Sequence, residues 1–175
     1  MIRFGIILMV ICFVASLVLA LVYQLTQPVI AAQRSREELV LLKEALPDAG
    51  EFKEITENDG SYFEGIDKKK VIGYVIRVTA KGYTGDIKML AGVDRSGTIK
   101  GVCVLEHAET PGLGARISEV KSGEKKPWFL EQFRGKKINE LNFNSLEAIT
   151  GATISSKAVL DTVRDKAEEF LKSKQ

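Results

Sequence analysis

An unbroken apolar run near the N-terminus limits the possible folds of this chain more than any other feature. From Phe4 to Tyr23 no residue is charged, and Ile, Leu, Val, Phe and Met dominate. A bilayer core requires about 20 such residues, so the run predicts a transmembrane helix. The competing interpretation is a cleaved signal peptide with Val29-Ile30-Ala31 as its cleavage site, but the run is long for a signal. We expect a retained anchor over residues 1–27.

Basic residues around this anchor predict its orientation. Arg3 and the N-terminal amine precede the run, and the next positive residue is Arg34. By the positive-inside rule the N-terminus lies in the cytoplasm and the rest of the chain faces outward. Arg34, Arg36 and Lys43 on the far side weaken this asymmetry. We therefore expect a single-pass protein of the cell inner (plasma) membrane with an extracytoplasmic domain.

The remaining chain has room for one compact domain. It belongs to a sequence of 175 residues, of which 45% are apolar and 27% charged. A formal net charge of +2 does not favour nucleic acid as a partner. Cys12 lies in the apolar run and Cys103 in a predicted strand, where it is expected to be a small buried hydrophobe. With a single histidine and no clustered ligands, no metal site is expected.

Turn signals divide the segment after the anchor. Pro28 marks the predicted exit from the membrane, Val29–Leu46 has a partial helical stripe, and Pro47-Asp48-Ala49-Gly50 ends that helix. We therefore expect a helical linker over residues 28–50. Residues 51–70 are polar and rich in turn formers, with Asn58-Asp59-Gly60 as a hairpin turn.

The C-terminal part alternates between strand and helix patterns. Three runs rich in Val, Ile and aromatic residues predict strands at Val71–Thr79, Ile87–Val93 and Thr98–Leu105, and Asp94-Arg95-Ser96-Gly97 predicts the turn between the last two. A helical segment is expected within residues 116–140, where Trp128 and Phe133 seal the core. Residues 51–175 are thus predicted to form an α+β domain, an antiparallel sheet packed with helices. The final helix has a clear apolar stripe of Val159, Leu160, Val163, Ala167, Phe170 and Leu171.

The turn that leads into this last helix, Ile149–Ser156, is the strongest candidate for a functional site. Ser155 and Ser156 are suitable N-cap residues, and Gly151 with Ala152 allows close approach of a ligand to the backbone. Free amide groups and the helix dipole converge beside Thr153, where a phosphate would be stabilised. The alternative is a plain turn with two capping hydroxyls.

Two upstream loops carry further candidates. The first, Ala80–Gly85, holds Tyr83 between glycines, and the alternative role of Tyr83 is to cover a sheet edge. In the second, His107–Gly114, Gly112 and Gly114 flank Leu113, which is placed to press against a flat ring, while Glu109 and Thr110 offer an acceptor and a hydroxyl. A glycine loop with one buried leucine is also common without a ligand. A hydrolase scheme based on His107 lacks an orienting acid.

Two of these motifs resemble one family. Thr150-Gly151-Ala152-Thr153 resembles the flavinylation motif of the FMN-binding domain in the G subunit of Rnf-type electron-transport complexes, and the C subunit of sodium-pumping NADH:quinone oxidoreductase has a similar motif. Glu109-Thr110-Pro111-Gly112-Leu113-Gly114 resembles a loop of the same family. The resemblance runs from about Gly73 to the C-terminus and includes the anchor. Where the family usually has Asp, this chain has Glu147.

The resemblance implies a function and a cofactor. In the family the last Thr of the motif carries FMN through a phosphoester bond, and Thr153 holds that position. The residues expected around FMN are Tyr83, Glu109, Thr110, Gly112, Leu113, Gly114, Thr150, Gly151, Ala152, Ser155 and Ser156. The chain would relay electrons between other membrane subunits after modification by a flavin transferase, and would be non-catalytic alone. The alternatives are a sodium-pumping C-type subunit, a tethered module that binds flavin non-covalently, and a structural assembly subunit with an empty pocket.

Overall fold

The computed structural model describes residues 2–57, 60–124 and 126–174. Contacts within the chain group it into two compact units, Met1–Leu39 and Val40–Gln175. The first unit consists of the helix α1, which spans Ile2–Ala45 and continues into the second unit. Within α1, Arg3–Pro28 is apolar and long enough to cross a membrane. This segment coincides with the predicted anchor.

Helix α1 continues through Pro28, so the predicted anchor and the predicted linker helix lie in one continuous helix. Pro28 lies inside the continuous helix. A proline ring fixes φ near the helical value and removes one amide donor, a local loss that a helix of 44 residues tolerates. The predicted end is confirmed, because the helix stops at Ala45 and the Pro47–Gly50 turn follows.

One antiparallel sheet contains five strands, β1 Glu51–Glu57, β2 Gly60–Asp67, β3 Lys70–Lys81, β4 Asp86–Asp94 and β5 Ile99–His107. They lie in the order β1-β2-β3-β4-β5. The three predicted strands are confirmed as β3 to β5, and the predicted turn joins the last two. In that turn Asp94 Oδ1 accepts hydrogen bonds from the amides of Ser96 (2.8 Å) and Thr98 (2.9 Å), and Gly97 has φ +82°.

The polar segment after the predicted linker, residues 51–70, was expected to contain a hairpin turn, and no strand was assigned to it. It forms the edge hairpin β1–β2, in which Glu57 pairs with Gly60. The turn residues between them, Asn58 and Asp59, lie outside the described residues. Strand β1 leaves most of its side chains in solvent, so its sequence is polar and lacks an apolar strand pattern.

Side chains from the two faces of the sheet enter two separate cores, as strand alternation requires. The larger core lies between the sheet and α3, Thr153–Ser173, whose predicted stripe is confirmed as buried or half-buried. Phe133 is fully buried in it and Trp128 is half-buried at its edge. The predicted helical region around these aromatics consists of three short pieces, Gly114–Ser118, α2 at Trp128–Glu131, and Ile138–Glu140.

The smaller core lies on the opposite face and is closed by the end of α1. Leu42, Ala45 and Leu46 are buried there against the sheet, with Cys103 beneath them. Burial raises the pKa of the Cys103 thiol to about 12, which fits the predicted role of an unreactive small hydrophobe.

Candidate functional site

Three segments converge at one end of the larger core. They are the β3–β4 loop, the loop that follows β5, and the turn before α3. Together they enclose a cavity of about 430 Å³, a volume typical of small-molecule sites. Its wall is formed by Tyr83, Glu109, Thr110, Leu113, Gly114, Gly151, Ala152, Thr153, Ile154 and Ser155.

The turn before α3 places Thr153 at the first helical position. Gly151 has φ +80°, a left-handed conformation that favours glycine, and Ala152 precedes the helix without a side-chain cap. The prediction that Ser155 and Ser156 are N-cap residues is therefore wrong. Because they lie four residues before Val159 and Leu160, they fall on the buried stripe of the helix.

Both serine hydroxyls find partners inside the protein. Ser156 Oγ accepts the amide of Ile149 (3.1 Å) and donates to the carbonyl of Ala152 (2.9 Å), which closes the turn on itself. Ser155 Oγ donates to Glu109 Oε2 at 2.6 Å. The hydroxyls thus fix the shape of the turn from below, while the Thr153 side chain stays exposed.

The start of α3 provides a site suited to an anion. The first intrahelical bond runs from the Ser156 amide to the Ala152 carbonyl (3.0 Å), so the amides of Thr153, Ile154 and Ser155 precede the helical hydrogen-bond ladder. The positive end of the helix dipole reinforces them. A phosphate joined to the Thr153 hydroxyl would be stabilised by both effects.

The loop after β5 supplies an apolar wall. It folds back on Thr110, whose carbonyl accepts the amides of Leu113 (3.1 Å) and Ala115 (3.2 Å), and Gly112 at its tip has φ +78°. Leu113 is 47% exposed, and its Cδ2 lies 3.1 Å from the position that a Cβ on Gly151 would take. A side chain at Gly151 would therefore crowd Leu113.

Glu109 lies in the cavity wall, but its carboxylate is bonded within the protein. Its side chain is only 6% exposed, and Oε1 accepts the Thr84 amide (3.0 Å) while Oε2 accepts the Ser155 hydroxyl. The carboxylate therefore joins segments of the protein and is not a free acceptor at the mouth of the loop. Burial alone would raise the pKa of Glu109, but hydrogen bonds from Ser155 and from the amides of Thr84, Gly85 and Tyr83 outweigh burial and lower it.

His107 is held by hydrogen bonds on both ring nitrogens. Nδ1 accepts the amide of Glu109 (3.3 Å), which assigns the proton to Nε2, and Nε2 lies 3.1 Å from Ser118 Oγ. Neither nitrogen is directed at Thr153 or Ser155 by these bonds. The geometry gives no support to the hydrolase scheme.

Most of the predicted site residues lie in the cavity wall, but three do not. Thr150 and Gly112 are exposed outside it, and Ser156 is buried beneath it. Sequence reasoning missed Ile154, which is 57% exposed and contributes to the wall. Its signal was present, because Ile154 is an apolar residue off the buried stripe of α3.

The chemistry of the wall fits FMN. Leu113, Ile154 and the 75% exposed Tyr83 offer apolar surface to a flat ring, and the start of α3 offers amides and a hydroxyl to a phosphate. Apart from Glu109, the described wall residues are uncharged. Apolar surface with a few convergent polar groups is the usual composition of a cofactor site.

Comparisons with known proteins agree with this description. Residues 82–168 match the model of the FMN-binding domain, and residues 1–45 match that of the RnfG N-terminal region. The chain is 35% identical to the G subunit of the ion-translocating oxidoreductase complex of Methanosarcina acetivorans, over 92% of this chain and 89% of the relative. It is 32% identical to the G subunit of the proton-translocating ferredoxin:NAD(+) oxidoreductase complex of Clostridium ljungdahlii, over 90% and 85% respectively.

The fold has a counterpart among solved structures. The crystal structure of Shewanella oneidensis NqrC matches with a TM-score of 0.51 at 20% identity, and the match covers 74% of this chain and 72% of that one. At this identity the match concerns the fold alone, whereas the G subunits match in sequence along most of their length. The chain therefore belongs to the family of G subunits of ion-translocating oxidoreductase complexes, with an FMN-binding domain behind a membrane-anchoring N-terminal region.

Proposed function

We propose that this protein is the membrane-anchored electron-carrier subunit of an Rnf-type complex, with FMN joined covalently to Thr153. The observation that carries the proposal is the position of Thr153, whose exposed side chain contributes to the cavity wall at the first residue of α3. The threonine of the flavinylation motif, the anion-stabilising helix start and an FMN-sized cavity coincide there.

The residues of the chain divide the work of holding FMN. The amides at the start of α3 would hold the phosphate, and Leu113, Ile154 and Tyr83 would cover the ring and exclude water from it. When bound, FMN supplies the redox chemistry, and the protein supplies binding and orientation. Covalent attachment would keep the cofactor on the protein outside the cytoplasm.

The Thr153 hydroxyl needs help to become esterified. A threonine hydroxyl is a weak nucleophile, and no side-chain base among the described residues is hydrogen-bonded to it. A separate transferase that uses FAD would supply the base. The bond from Thr153 Oγ to the FMN phosphorus forms as the bond from that phosphorus to AMP breaks, AMP leaves, and the hydroxyl proton passes to the transferase.

The partners of this chain follow from its relatives. The similar G subunits are named as parts of ferredoxin:NAD(+) oxidoreductase complexes that translocate ions. By this proposal the present chain passes electrons between other membrane subunits and converts no soluble substrate alone. The apolar part of α1 contains no charged residue from Phe4 to Tyr23, so ion translocation is expected in the other subunits.

The orientation of the chain is also part of the proposal. Arg3 lies on the N-terminal side of the anchor, which favours a cytoplasmic N-terminus and an extracytoplasmic flavin domain. A protease added to intact spheroplasts should then remove the domain and leave the anchor. Protection of the domain in spheroplasts, with cleavage only in inverted vesicles, would reverse this orientation.

The test of covalent attachment is the mass of the protein purified from its own membrane. The tryptic peptide 138–157 contains both Thr150 and Thr153, so its mass shows the presence of FMN but not which hydroxyl carries it. We expect one FMN on this peptide, lost in the isosteric Thr153→Val and retained in Thr153→Ser. Thr150→Val is the matched control, because Thr150 is exposed but lies outside the cavity wall.

Two results would contradict the proposal. An unmodified peptide from the fully assembled complex would exclude the covalent bond, and flavin released by acid from the same protein would favour a non-covalent module. Loss of FMN in Thr150→Val with retention in Thr153→Val would move the attachment to Thr150.

A further inference from the structure

Glu109 is a buried charge placed at the flavin cavity. Among the described residues that line the cavity it is the one with a charged side chain, and only 6% of it is exposed. An unpaired carboxylate is costly to bury, so such a group needs several hydrogen-bond donors. The structure provides these donors from elements far apart in the chain.

The carboxylate connects all three walls of the cavity. Glu109 itself belongs to the loop after β5, its Oε1 accepts the Thr84 amide in the β3–β4 loop (3.0 Å), and its Oε2 accepts the Ser155 hydroxyl in the first turn of α3 (2.6 Å). A hydrogen bond to a charged acceptor is about twice as strong as a neutral one. The connection is therefore stronger than the surface contacts around it.

Two glycine backbones lie so close to the carboxylate that neither position has room for a Cβ. A Cβ on Gly82 would lie 2.2 Å from Oε1, and a Cβ on Gly114 would lie 1.9 Å from Oε2. Both distances are far below van der Waals contact. The loops that form the cavity therefore also enclose the Glu109 side chain closely.

We propose that Glu109 is a positioning residue that holds the three walls of the flavin cavity together and places a fixed negative charge beside the bound ring, lowering its reduction potential. The positioning role of Glu109 applies to the protein without cofactor. The effect of its charge on the reduction potential rests on the proposed function, because it requires FMN in the cavity. Electrons added next to a fixed anion are repelled by it, and a site shielded from water weakens that repulsion little.

Two substitutions separate geometry from charge. Glu109→Gln keeps the size and one carbonyl oxygen for the Thr84 amide, but it removes the charge. Ser155→Ala keeps the charge and removes the link to α3. Glu140→Gln is the matched control, since Glu140 is an exposed carboxylate on the short helix Ile138–Glu140 and does not line the cavity.

The first experiment needs no flavin. Hydrogen exchange would be measured on the full-length protein in detergent, in a Thr153→Val background that cannot be modified. We expect the amides of residues 83–85 to exchange about tenfold faster with Glu109→Gln, because a neutral acceptor replaces a charged one. Ser155→Ala should also speed this exchange, and it provides the same test if the glutamine variant does not fold. Unchanged exchange in these variants would overturn the positioning role.

The second experiment measures the midpoint potential of FMN by spectroscopic titration, on protein whose FMN load has been verified by mass. We expect a higher potential for Glu109→Gln than for the wild type, with Glu140→Gln close to the wild type. A wild-type potential in Glu109→Gln would overturn the effect of charge. If the wild-type protein carried no flavin, the proposed function would fail, whereas the exchange experiment would still decide the positioning role.

Discussion

Consecutive residues at the start of α3 face opposite sides, two toward the cavity and two toward the core. Thr153 and Ile154 point their exposed groups outward, while Ser155 and Ser156, the next two residues, are buried and hydrogen-bonded below. This change from exposed to buried within one helical turn presents the Thr153 side chain at the surface of a hydrogen-bonded turn. Each buried hydroxyl is satisfied, as burial of a polar group requires.

The lowered pKa of Glu109 gives a prediction about acid stability. A carboxyl whose pKa is lower in the folded state stabilises the fold fully above its unfolded pKa, near 4.5, and loses this contribution as pH falls through the folded value. Glu109→Gln should therefore lower the melting temperature at pH 7 by more than it does at pH 3. Thermal unfolding at both pH values measures the difference.

Other carboxyl groups also contribute to the acid sensitivity of the fold. Asp94 also has a lowered pKa: burial would raise it, but hydrogen bonds from Ser96 and from the amide of Thr98 outweigh burial. Some acid sensitivity should therefore remain in Glu109→Gln. Glu140→Gln should leave the melting temperature close to that of the wild type at both pH values. A loss in Glu109→Gln that is equal at both pH values would assign the effect to packing and not to charge.

At the scale of elements, the end of α1 is joined to the sheet across a row of glycines. Gly65 pairs with Gly73, and Gly92 pairs with Gly101. These positions lie under the helix end, where a Cβ on Gly92 would approach the Ala45 carbonyl oxygen to 2.1 Å. The backbone of the helix end can therefore rest directly on the strands, which brings Leu42 and Leu46 into the smaller core.

This contact predicts a strong effect of a single added methyl group. Gly92→Ala should destabilise the domain by about 1–3 kcal/mol or more, because the methyl would meet backbone atoms that cannot rotate away. Gly50→Ala is the matched control, since its Cβ would have ordinary contacts of 3.7 Å or more and its φ is not left-handed. That variant should be nearly neutral. Denaturant unfolding of the two variants measures both free energies, and equal values would contradict the close contact.

For the whole molecule, the boundary between anchor and domain lies inside one helix. The compact unit begins at Val40, within the segment predicted as a linker, while the domain was expected to begin at residue 51. Leu42, Ala45, Leu46 and Ala49 are buried in the smaller core of that unit. The last turns of α1 are therefore part of the domain and not a spacer.

Fragments of different lengths test this boundary. A fragment of residues 40–175 should unfold cooperatively, and a fragment of residues 51–175 should be far less stable. The shorter one loses two fully buried leucines, worth about 1.5–3 kcal/mol each, from a domain whose total stability is expected to be about 5–15 kcal/mol. Leu42→Ala in the longer fragment should be intermediate, with a loss of about 2–5 kcal/mol. Equal melting temperatures for the two fragments would place the helix end outside the core.

Features that depend on local pattern could be predicted from the amino-acid sequence. A run of uncharged residues requires an apolar solvent, so the anchor could be predicted from composition. The three central strands and the stripe of α3 have a regular spacing of apolar residues because each is buried on a fixed period. The motif around Thr153 could be recognised in the sequence because its residues are contiguous.

Features that depend on contacts between residues distant in the chain could be identified only from the folded structure. Glu109 and Ser155 are separated by 46 positions, so no local pattern shows that the carboxylate is used internally and the serine is not a cap. Strand β1 lies at the sheet edge, where solvent accepts polar residues and the apolar pattern disappears. The end of α1 resembled a linker because its burial depends on glycines in strands that come later in the chain. Local sequence encodes period and polarity, whereas the choice of contact partner is made when the chain packs.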